Sequence, residues 1–399
     1  MSKITKLSAK KILDSRGEWT IEVGLELDGK FQVQAAVPQG KSVGSHEAVD
    51  LPDDQAVVAV EKIIASSLIG RDFTTQRQLD DELIKLDGTK NKSKLGADSL
   101  LGISMAFCRA MALAGGLPLW KHISNQFSFT PNLQTRLFVN VINGGKHAGN
   151  NLDFQEYLLI PKAGNMADSV DMAKLMYKKL GEILAKRFGD EVLNVGDEGG
   201  YAPDCKDNVQ PFEFLHESIS VCGYQDKVDV GVDVAASSFS KKPADLVAIY
   251  KEIKSRWPNF IYLEDPFGED DFASFSSVTA DMGGDVLITG DDLTVTNVEK
   301  IKEAVEKKSA NAVIIKPNQI GTITEAADAV AFAKESGWQV VASHRSGETN
   351  DDFIADFAVG VGAFGLKLGS PARGERVAKY NRLIEISKED RLLGSSASK

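Results

Sequence analysis

Six residues that could bind a cation or move a proton follow short apolar runs in the second half of the chain. Successive members lie 31, 27, 25, 28 and 23 residues apart, and one strand with its return helix takes about that length. Because a (β/α) barrel carries its chemistry at the carboxyl ends of its parallel strands, the spacing predicts that all six surround one barrel mouth. They are Asp233, Glu264, Asp291, Lys316, His344 and Lys367.

The three carboxylates of this series have the chemistry of a magnesium site. Mg²⁺ prefers oxygen ligands, uses few carboxylates and keeps several waters. No His/Cys cluster at ligand spacing favours zinc. A single carboxylate at a strand end is commonly a solvated loop residue or a helix cap. Three in register with two lysines indicate instead that Asp233, Glu264 and Asp291 bind a metal ion.

Lys316 is a candidate general base. A lysine with an ordinary pKa near 10.4 is a poor base at neutral pH, whereas burial and neighbouring positive charge lower the pKa. Lys367 and a bound metal ion would supply that charge. The alternative interpretation is a lysine paired with the carboxylates, an arrangement that raises its pKa and is expected when metal is absent.

Segments outside this series add polar groups whose convergence depends on the fold. Glu198 stands in a Gly-Asp-Glu-Gly-Gly turn, where the glycines allow a ligand close to the backbone. His147, Gln155 and Glu156 are near neighbours in sequence. Residues 343–347, Ser-His-Arg-Ser-Gly, combine an arginine with hydroxyl groups, a composition that suits a bound phosphate.

The remaining sequence supplies elements that could position these residues. Residues 1–50 alternate apolar and polar positions around an Asp-Gly hairpin turn, and residues 53–123 change to helical periodicity. Strands followed by helices indicate an α+β domain, and the chain beyond it matches the roughly 250 residues of a barrel. The predicted organisation is an α+β domain (1–123), a connection (124–136) and a barrel domain (137–399).

Composition limits the classes of function. The 399 residues carry a net charge of −11, which counts against a nucleic-acid binder that tracks phosphates. Three cysteines are too few, and odd in number, for a secreted disulfide scaffold. The N terminus shows no signal-peptide pattern, and no run approaches the ~20 apolar residues of a membrane span. We therefore expect a cytoplasmic protein, with a frayed tail at 394–399.

The chain resembles the enolase family in nine segments that cover nearly its whole length, in the family's order. Any one segment is a moderate signal, and nine in order leave little room for chance. The segments are Asp-Ser-Arg-Gly (14–17), Asn-Gly-Gly-Lys-His-Ala-Gly (143–149), Gln-Glu (155–156), Gly-Asp-Glu-Gly-Gly (196–200), Leu-Glu-Asp-Pro-Phe (263–267), Gly-Asp-Asp-Leu-Thr-Val-Thr-Asn (290–297), Lys-Pro-Asn-Gln-Ile-Gly-Thr (316–322), Ser-His-Arg-Ser-Gly-Glu-Thr (343–349) and Pro-Ala-Arg (371–373).

The resemblance implies an α/β fold, with a C-terminal TIM-like barrel of the ββαα(βα)₆ type under an N-terminal α+β capping domain. It implies a lyase that carries out the Mg²⁺-dependent, reversible dehydration of 2-phospho-D-glycerate to phosphoenolpyruvate in glycolysis and gluconeogenesis. The partner is then a small phosphorylated substrate. Family members are usually homodimers or homo-octamers, so a homo-oligomer is expected.

The resemblance also implies a role for each candidate residue. Lys316 matches the base that takes the proton beside the substrate carboxylate. Glu198, supported by Glu156, matches the acid that helps hydroxide to leave. The expected substrate contacts are Lys367 with the carboxylate, Arg345 and Ser346 with the phosphate, and His147, Gln155 and His344 in the lining of the pocket.

Two magnesium ions are implied, and the sequence departs from the family at the second. The structural or conformational ion is expected at Asp233, Glu264 and Asp291. The family's cap loop reads Ser-Gly-Ala-Ser-Thr-Gly, and its first serine binds the ion that arrives with substrate. Here the loop reads Gln-Gly-Lys-Ser-Val-Gly from Gln39. Gln39 keeps oxygen ligands in its carbonyl and amide, and Lys41 adds positive charge near the expected phosphate.

Two other readings remain open at the level of sequence. Another acid-dehydrating or racemising enzyme of the same superfamily would place its bases differently and lack the Ser-His-Arg-Ser segment. A non-catalytic binding protein on the same scaffold is suggested by Gln39 and by the C-terminal Lys399, because some surface-displayed enolases bind host proteins through such a lysine.

Overall fold

The computed structural model describes residues 2–41 and 44–396, which form a small N-terminal sheet domain and a closed eight-stranded barrel. The N-terminal sheet is antiparallel, in the order β3-β2-β1-β4. Its strands are β1 (Ser2–Leu13), β2 (Trp19–Leu27), β3 (Phe31–Ala36) and β4 (Asp72–Phe73).

The hairpin predicted in this sheet is confirmed. Ile21, Val23 and Leu25 are buried on one face of β2, and the residues between them are partly exposed. Asp28 and Gly29 follow with φ angles of 57° and 67°. A turn with two left-handed residues has the twist that an antiparallel hairpin needs, and Asp-Gly is a favoured pair for it.

Helices cover the N-terminal sheet and form the rest of the cap domain. They are α1 (Asp53–Val58), a π-helical segment (Ala59–Ile64), α2 (Ala65–Leu68), α3 (Gln76–Asp87), α4 (Ala97–Ala114) and α5 (Leu119–Phe127). Within the described ranges, α4 is the one helix whose length and apolar composition could suffice for a membrane span, and 78% of it is buried inside the protein. It contacts β2 and β3, so its apolar surface forms the core of the cap.

The barrel closes in the order β10-β11-β12-β5-β6-β7-β8-β9. Neighbouring strands are parallel except on the two sides of β6, which runs in the opposite direction. This confirms the predicted ββαα(βα)₆ arrangement and the α/β class. The strands are β5 (Arg136–Asn143), β6 (Glu156–Pro161), β7 (Val228–Asp233), β8 (Phe260–Glu264), β9 (Leu287–Gly290), β10 (Ala312–Ile315), β11 (Gln339–Ser343) and β12 (Gly365–Lys367).

The reversal of β6 decides which of its ends faces the barrel mouth. In the sheet register Glu156 pairs with Asn143 on one side and with Asp233 on the other. The first residue of β6 therefore lies beside the last residues of its neighbours. Glu156, at the start of its strand, therefore lies beside side chains at the carboxyl ends of the neighbouring strands.

Apolar side chains fill the barrel below the mouth. Six residues from five strands form this fully buried cluster, and the ring of Phe138 meets the ring of Tyr262 edge to face at 4.8 Å. The Tyr262 hydroxyl donates to Glu264 at 2.6 Å, so the apolar interior adjoins the charged mouth directly. The cluster consists of Phe138, Leu158, Ile160, Tyr262, Ile314 and Val341.

An outer layer of helices packs around the barrel. Several begin at side-chain caps, including Asn165, Asp271, Asn297 and Thr322, which accept hydrogen bonds from the first turn. The helices are α6 (Met166–Phe188), α7 (Gln210–Val221), α8 (Pro243–Arg256), α9 (Phe272–Met282), α10 (Val298–Glu306), α11 (Ile323–Glu335), α12 (Phe353–Gly360) and α13 (Gly374–Ser396).

Helix α5 extends to Phe127, four residues into the predicted connection, and the first barrel strand begins at Arg136, the last residue of that connection. One detail differs from the sequence prediction, since residues 394–396 continue α13 rather than fray. The C-terminal Lys399, which suggested a binding role, lies outside the described residues.

Buried and partly buried ion pairs attach the cap to the barrel. Arg109 of α4 donates to Asp351 and Asp352 at 2.5–2.9 Å. Lys92 pairs with Glu325 at the start of α11, at 2.7 Å. Ion pairs outside the barrel mouth therefore hold the cap on the barrel, in addition to the cap loop that begins at Gln39.

Gly365→Ala tests how tightly the barrel interior is packed beside Lys367. A Cβ at Gly365 would lie 2.2 Å from the ring of Phe138, and overpacking of this kind typically costs about 1–3 kcal/mol. We expect urea denaturation to show a loss of that size. Gly164→Ala is the control, since its Cβ would meet nothing within 4 Å. Equal stability of the two variants would contradict the packing described here.

Candidate functional site

All six residues of the spaced series lie at or directly after barrel strand ends. Asp233, Glu264 and Lys367 are the last residues of β7, β8 and β12. Asp291, Lys316 and His344 directly follow β9, β10 and β11. The position predicted from the spacing is therefore confirmed for each member.

Five of these six residues line a polar cavity at the mouth, and Glu264 is the exception. Two predicted site residues are absent from its described wall. Glu264 lies behind Lys367, and Gln39 lies in the cap. The predicted residues that do line it are His147, Gln155, Glu156, Glu198, Asp233, Asp291, Lys316, His344, Arg345, Ser346 and Lys367.

Lys367 is the central cation of the site, and its ammonium group contacts three acidic side chains. Its Nζ lies 2.8 Å from both carboxylate oxygens of Glu264, 3.1 Å from Asp233 and 3.2 Å from Glu156. The surrounding carboxylates raise the pKa of Lys367 well above its usual value, although burial acts in the opposite direction. Burial raises the pKa of Glu264 to about 8, and the Asp233 charge adds to that shift.

Lys316 forms a second ion pair, with Asp291. Burial alone would lower the pKa of Lys316, but the Asp291 carboxylate raises it above its usual value. The alternative in which the lysine is paired with a carboxylate is therefore the state observed. In this state Lys316 is protonated and cannot accept a proton from a substrate.

The three predicted metal ligands are divided between these two lysines. Asp233 and Glu264 share Lys367, whereas Asp291 lies beside Lys316 and close to Asp265 and Asp292.

The donor chemistry nevertheless fits a divalent cation. Asp233, Glu264 and Asp291 are each at most 8% exposed, offer only oxygen ligands, and already face positive charge. The predicted ligands therefore suit Mg²⁺, which would take over contacts that the two lysines make here.

A second acidic cluster lies across the mouth from Lys316 and includes Glu156, which also contacts Lys367. His147 Nδ1 lies 3.6 Å from Glu198 and 3.9 Å from Glu156. Burial, together with the Glu198 charge, raises the pKa of Glu156 well above its usual value. Burial opposes ionisation of Glu198 as well, but His147 and His344 hold its pKa well below its usual range. The pKa values of these two adjacent carboxyl groups are thus shifted in opposite directions, which favours a proton on Glu156 over one on Glu198.

Glu198 is further oriented by neutral donors. Asn140 donates to its Oε2 at 2.9 Å, and His344 Nε2 lies 3.5 Å from the same oxygen. Burial lowers the pKa of His344 to about 4, so the ring is neutral at neutral pH. The region combines an anionic carboxylate with a neutral imidazole in a nearly dry pocket.

The arginine expected to bind phosphate is already paired with a cap residue. Arg345 donates to both carboxylate oxygens of Glu47 at 3.0 and 3.2 Å, and to Asn318 at 2.9 Å. All three residues are buried. The cap therefore places a carboxylate against the guanidinium, and Arg345 links cap and barrel within the site.

The cap loop is docked on the barrel in its described part. Gln39 exchanges two backbone hydrogen bonds with Gly347 at 2.8 and 2.9 Å, so its carbonyl faces the barrel backbone. Lys41 pairs with Asp197 at 2.8 Å, and its N–H donates to Ser346. Residues 42–43 of this loop lie outside the described ranges.

Sequence reasoning missed several residues that the fold brings to the mouth. Asp265 directly follows Glu264, and Asp292 directly follows Asp291. Their position next to a predicted metal ligand was the signal that could have identified them. Asp265 accepts the backbone N–H groups of Asp291 and Asp292 at 2.9 and 2.8 Å and thereby fixes that turn. Glu47 and Asn140 carried no local signal, because each acts through a contact distant in sequence.

The segment that carries Glu47 rests on a pair of buried carboxyl groups. Asp98, at the start of α4, accepts the Leu51 N–H at 3.2 Å. Asp50 is partly exposed as a residue, yet its Oδ1 and the Oδ2 of Asp98 are both buried without a partner. Burial raises the pKa of Asp50 to about 8, with a contribution from the Asp98 charge, and raises that of Asp98 to about 6.

Comparisons with known proteins find similarity to one family over nearly the whole chain. Family profiles described as "Enolase, N-terminal domain" and "Enolase, C-terminal TIM barrel domain" match residues 4–123, and residues 135–247 and 240–398. "Enolase" of Methanopyrus kandleri is 41% identical over 98% of this chain and 96% of that protein. "Enolase B" of Dictyostelium discoideum is 42% identical over 97% and 95%. "Enolase" of Methanocaldococcus jannaschii is 41% identical over 97% and 95%.

Asp98→Asn tests the carboxyl pair through the pH dependence of stability. A folded pKa raised above the unfolded value contributes stability at low pH that is lost as pH rises through the folded pKa. The wild-type free energy of unfolding should therefore fall between about pH 4 and 8. Asparagine keeps the acceptor for Leu51 and removes one charge, so the variant should gain on the order of 1 kcal/mol at pH 8.

Urea denaturation at pH 5 and pH 8 measures this effect, and the gain should be smaller at pH 5. Asp54→Asn is the control, because the Asp54 side chain is 83% exposed. An unchanged pH slope in Asp98→Asn would show that the pair does not share a proton in the folded protein.

Proposed function

The chain belongs to the enolase family, and from that premise we propose a role in the reaction for each residue of the site. The family makes the protein a phosphopyruvate hydratase, a lyase that interconverts 2-phospho-D-glycerate and phosphoenolpyruvate in glycolysis. The observation that carries the assignment of roles is the convergence of two lysines and the acidic residues on one barrel mouth.

Arg345, Ser346 and Lys41 bind the substrate phosphate. Support comes from their common position on the cavity wall, where Lys41 and Ser346 are already hydrogen-bonded. A guanidinium binds phosphate in a fixed, two-point geometry. Glu47 faces the same guanidinium, so it orients Arg345 and limits its motion before the phosphate binds.

Lys367 and the metal ligands form the site for the substrate carboxylate. When bound, Mg²⁺ supplies a fixed positive charge that stabilises the negative charge developing on the carboxylate oxygens. Asp233, Glu264 and Asp291 would hold the first ion. With these carboxylates bound to the ion, the Nζ of Lys367 would be free to contact the substrate.

Lys316 is the base that removes the proton next to the carboxylate. Its pairing with Asp291 keeps it protonated in the state described here. If a bound cation took over the contact with Asp291, burial and the nearby Lys367 would both favour neutral Lys316. The Asp291 carboxylate would then couple cation binding to activation of the base.

Glu198 and Glu156 assist departure of the hydroxyl group from the opposite side of the cavity. Support comes from the opposite pKa shifts of the two carboxyl groups, which leave a proton at Glu156 beside ionised Glu198. That proton reaches the leaving oxygen through Glu198. His147, Gln155 and His344 line this side and exclude water.

Gln39 is proposed as a ligand for the second Mg²⁺, which arrives with the substrate. Its backbone carbonyl is hydrogen-bonded to Gly347 in the docked loop, so the amide oxygen is the atom offered to the ion. We also propose a cytoplasmic homo-oligomer. Three free cysteines and an exposed apolar pair, Leu13 and Trp19 on adjacent strands, support this.

Purified protein with 2-phospho-D-glycerate and Mg²⁺ should form phosphoenolpyruvate, which is measured by its ultraviolet absorbance. A chelator should abolish turnover. Lys316→Ala should reduce kcat by about 10²- to 10⁴-fold, the usual contribution of a positioned base. Lys302→Ala, at an exposed ion pair, should keep wild-type activity.

Absence of turnover in folded, metal-loaded wild-type protein would support the non-catalytic binding role instead. Full activity of Lys316→Ala would remove Lys316 from the reaction and leave the family assignment intact.

Gln39→Ser tests the second metal site. If the Gln39 amide oxygen binds the ion that arrives with substrate, the serine variant should change the Mg²⁺ concentration for half-maximal turnover by about threefold or more, roughly 0.7 kcal/mol or more. The tight binding of the first ion, measured by calorimetry without substrate, should not change. An unaltered Mg²⁺ dependence would show that Gln39 plays no part.

A further inference from the structure

Arg376, in the first turn of α13, is a fully buried cation that sits behind the barrel mouth. Its Nη1 lies 2.6 Å from the backbone oxygen of Arg345 and 2.6 Å from His344 Nδ1. Its Nη2 donates to the backbone oxygens of Ser346 at 2.7 Å and Asp197 at 3.1 Å. One guanidinium thus binds both loops that carry proposed catalytic and substrate-binding groups.

The contact with His344 fixes the position of the imidazole proton. Arginine has donors only and does not lose its proton in proteins. His344 Nδ1 must therefore accept, which leaves the single proton of the neutral ring on Nε2. Protonation of Nδ1 would remove this hydrogen bond and place two cations 2.6 Å apart.

The proton on Nε2 is directed at Glu198. His344 Nε2 lies 3.5 Å from Glu198 Oε2 and is otherwise buried without a hydrogen-bond partner in the described structure. The same arginine holds the backbone oxygen of Asp197, the residue before Glu198. Both the imidazole and the turn that carries the carboxylate are therefore set by one side chain.

We propose that Arg376 is a positioning residue that holds His344 as the Nε2–H tautomer, so that this N–H donates to the carboxylate of Glu198. The proposal rests on the proposed function, in which Glu198 assists departure of the hydroxyl group. When His344 donates to one carboxylate oxygen of Glu198, the other oxygen stays available to the departing hydroxyl group and to Glu156. Burial and the arginine charge together keep His344 from becoming an imidazolium.

Other charged groups nearby do not offer an alternative partner for Nδ1. Glu375 lies 3.6 Å from Arg376 Nε, on the side away from the imidazole contact at Nη1. Glu348 is paired with Lys379 at 2.7 Å and accepts the Arg345 N–H. Within the described residues, Arg376 is the group in hydrogen-bonding contact with Nδ1.

The nitrogen NMR spectrum of the wild-type protein tests the proposal without any activity measurement. The chain has five histidines, and comparison with His344→Gln assigns the signals of interest after ¹⁵N-histidine labelling. We expect His344 to show a protonated Nε2 and an unprotonated Nδ1, unchanged from pH 8 to pH 6. A proton on Nδ1, or an imidazolium within that range, would overturn the proposal.

Substitution of the arginine tests its causal role. Arg376→Met should give His344 a mixture of tautomers and reduce kcat by about 10- to 100-fold, the usual effect of losing an outer contact that orients a functional group, with little change in KM. Arg376→Lys keeps a charge and a donor, so it should retain more of the Nε2–H tautomer and of kcat.

Arg373→Met is the matched control, because Arg373 lies in the same segment but contacts Ser15 and Glu375 rather than His344. It should leave the His344 spectrum and kcat unchanged. A pure Nε2–H spectrum in Arg376→Met would overturn the proposal. If that variant does not fold, a smaller share of the Nε2–H tautomer in Arg376→Lys than in Arg373→Met supports the proposal, and an equal share contradicts it. Absence of wild-type turnover would refute the proposed function, while the spectra still decide the role of Arg376.

Discussion

The mouth of the barrel depends on the compensation of buried negative charge. Asp233, Glu264 and Asp291 lie in a region nearly closed to water, where an unpaired carboxylate would be strongly unfavourable. Lys367 contacts Asp233 and Glu264, and Lys316 pairs with Asp291. In this state the ammonium groups of two lysines compensate the carboxylate charges.

This compensation also couples binding to chemistry. A lysine that neutralises a carboxylate cannot at the same time accept a proton or bind a substrate carboxylate. A cation that replaced the ammonium partners of Asp291 and Glu264 would favour neutral Lys316 and would leave Lys367 free. In the proposed mechanism, the other functions of the site would therefore depend on this exchange of ammonium groups for a metal ion.

The rest of the fold keeps these groups at short distances. The apolar cluster around Phe138 and Tyr262 closes the barrel beneath the charges, and the reversed strand β6 brings Glu156 to the same edge as Asp233. The cap adds Glu47 against Arg345. From the far side, Arg376 binds four acceptors on two loops. Charge, packing and backbone hydrogen bonds thus restrict the same side chains from three directions.

The sequence by itself determined the barrel and the residues at its strand ends, because strand–helix spacing is local and repeats. It also determined the cap hairpin, where Asp28 and Gly29 suit a left-handed turn. Tertiary structure decided the ionisation states and the contacts between distant segments. Lys316 is protonated because Asp291 lies against it, and Arg376 contacts His344 because the first turn of α13 lies against the segment that follows β11. Such contacts join residues distant along the chain, and pKa values follow from burial and neighbours that no local pattern specifies.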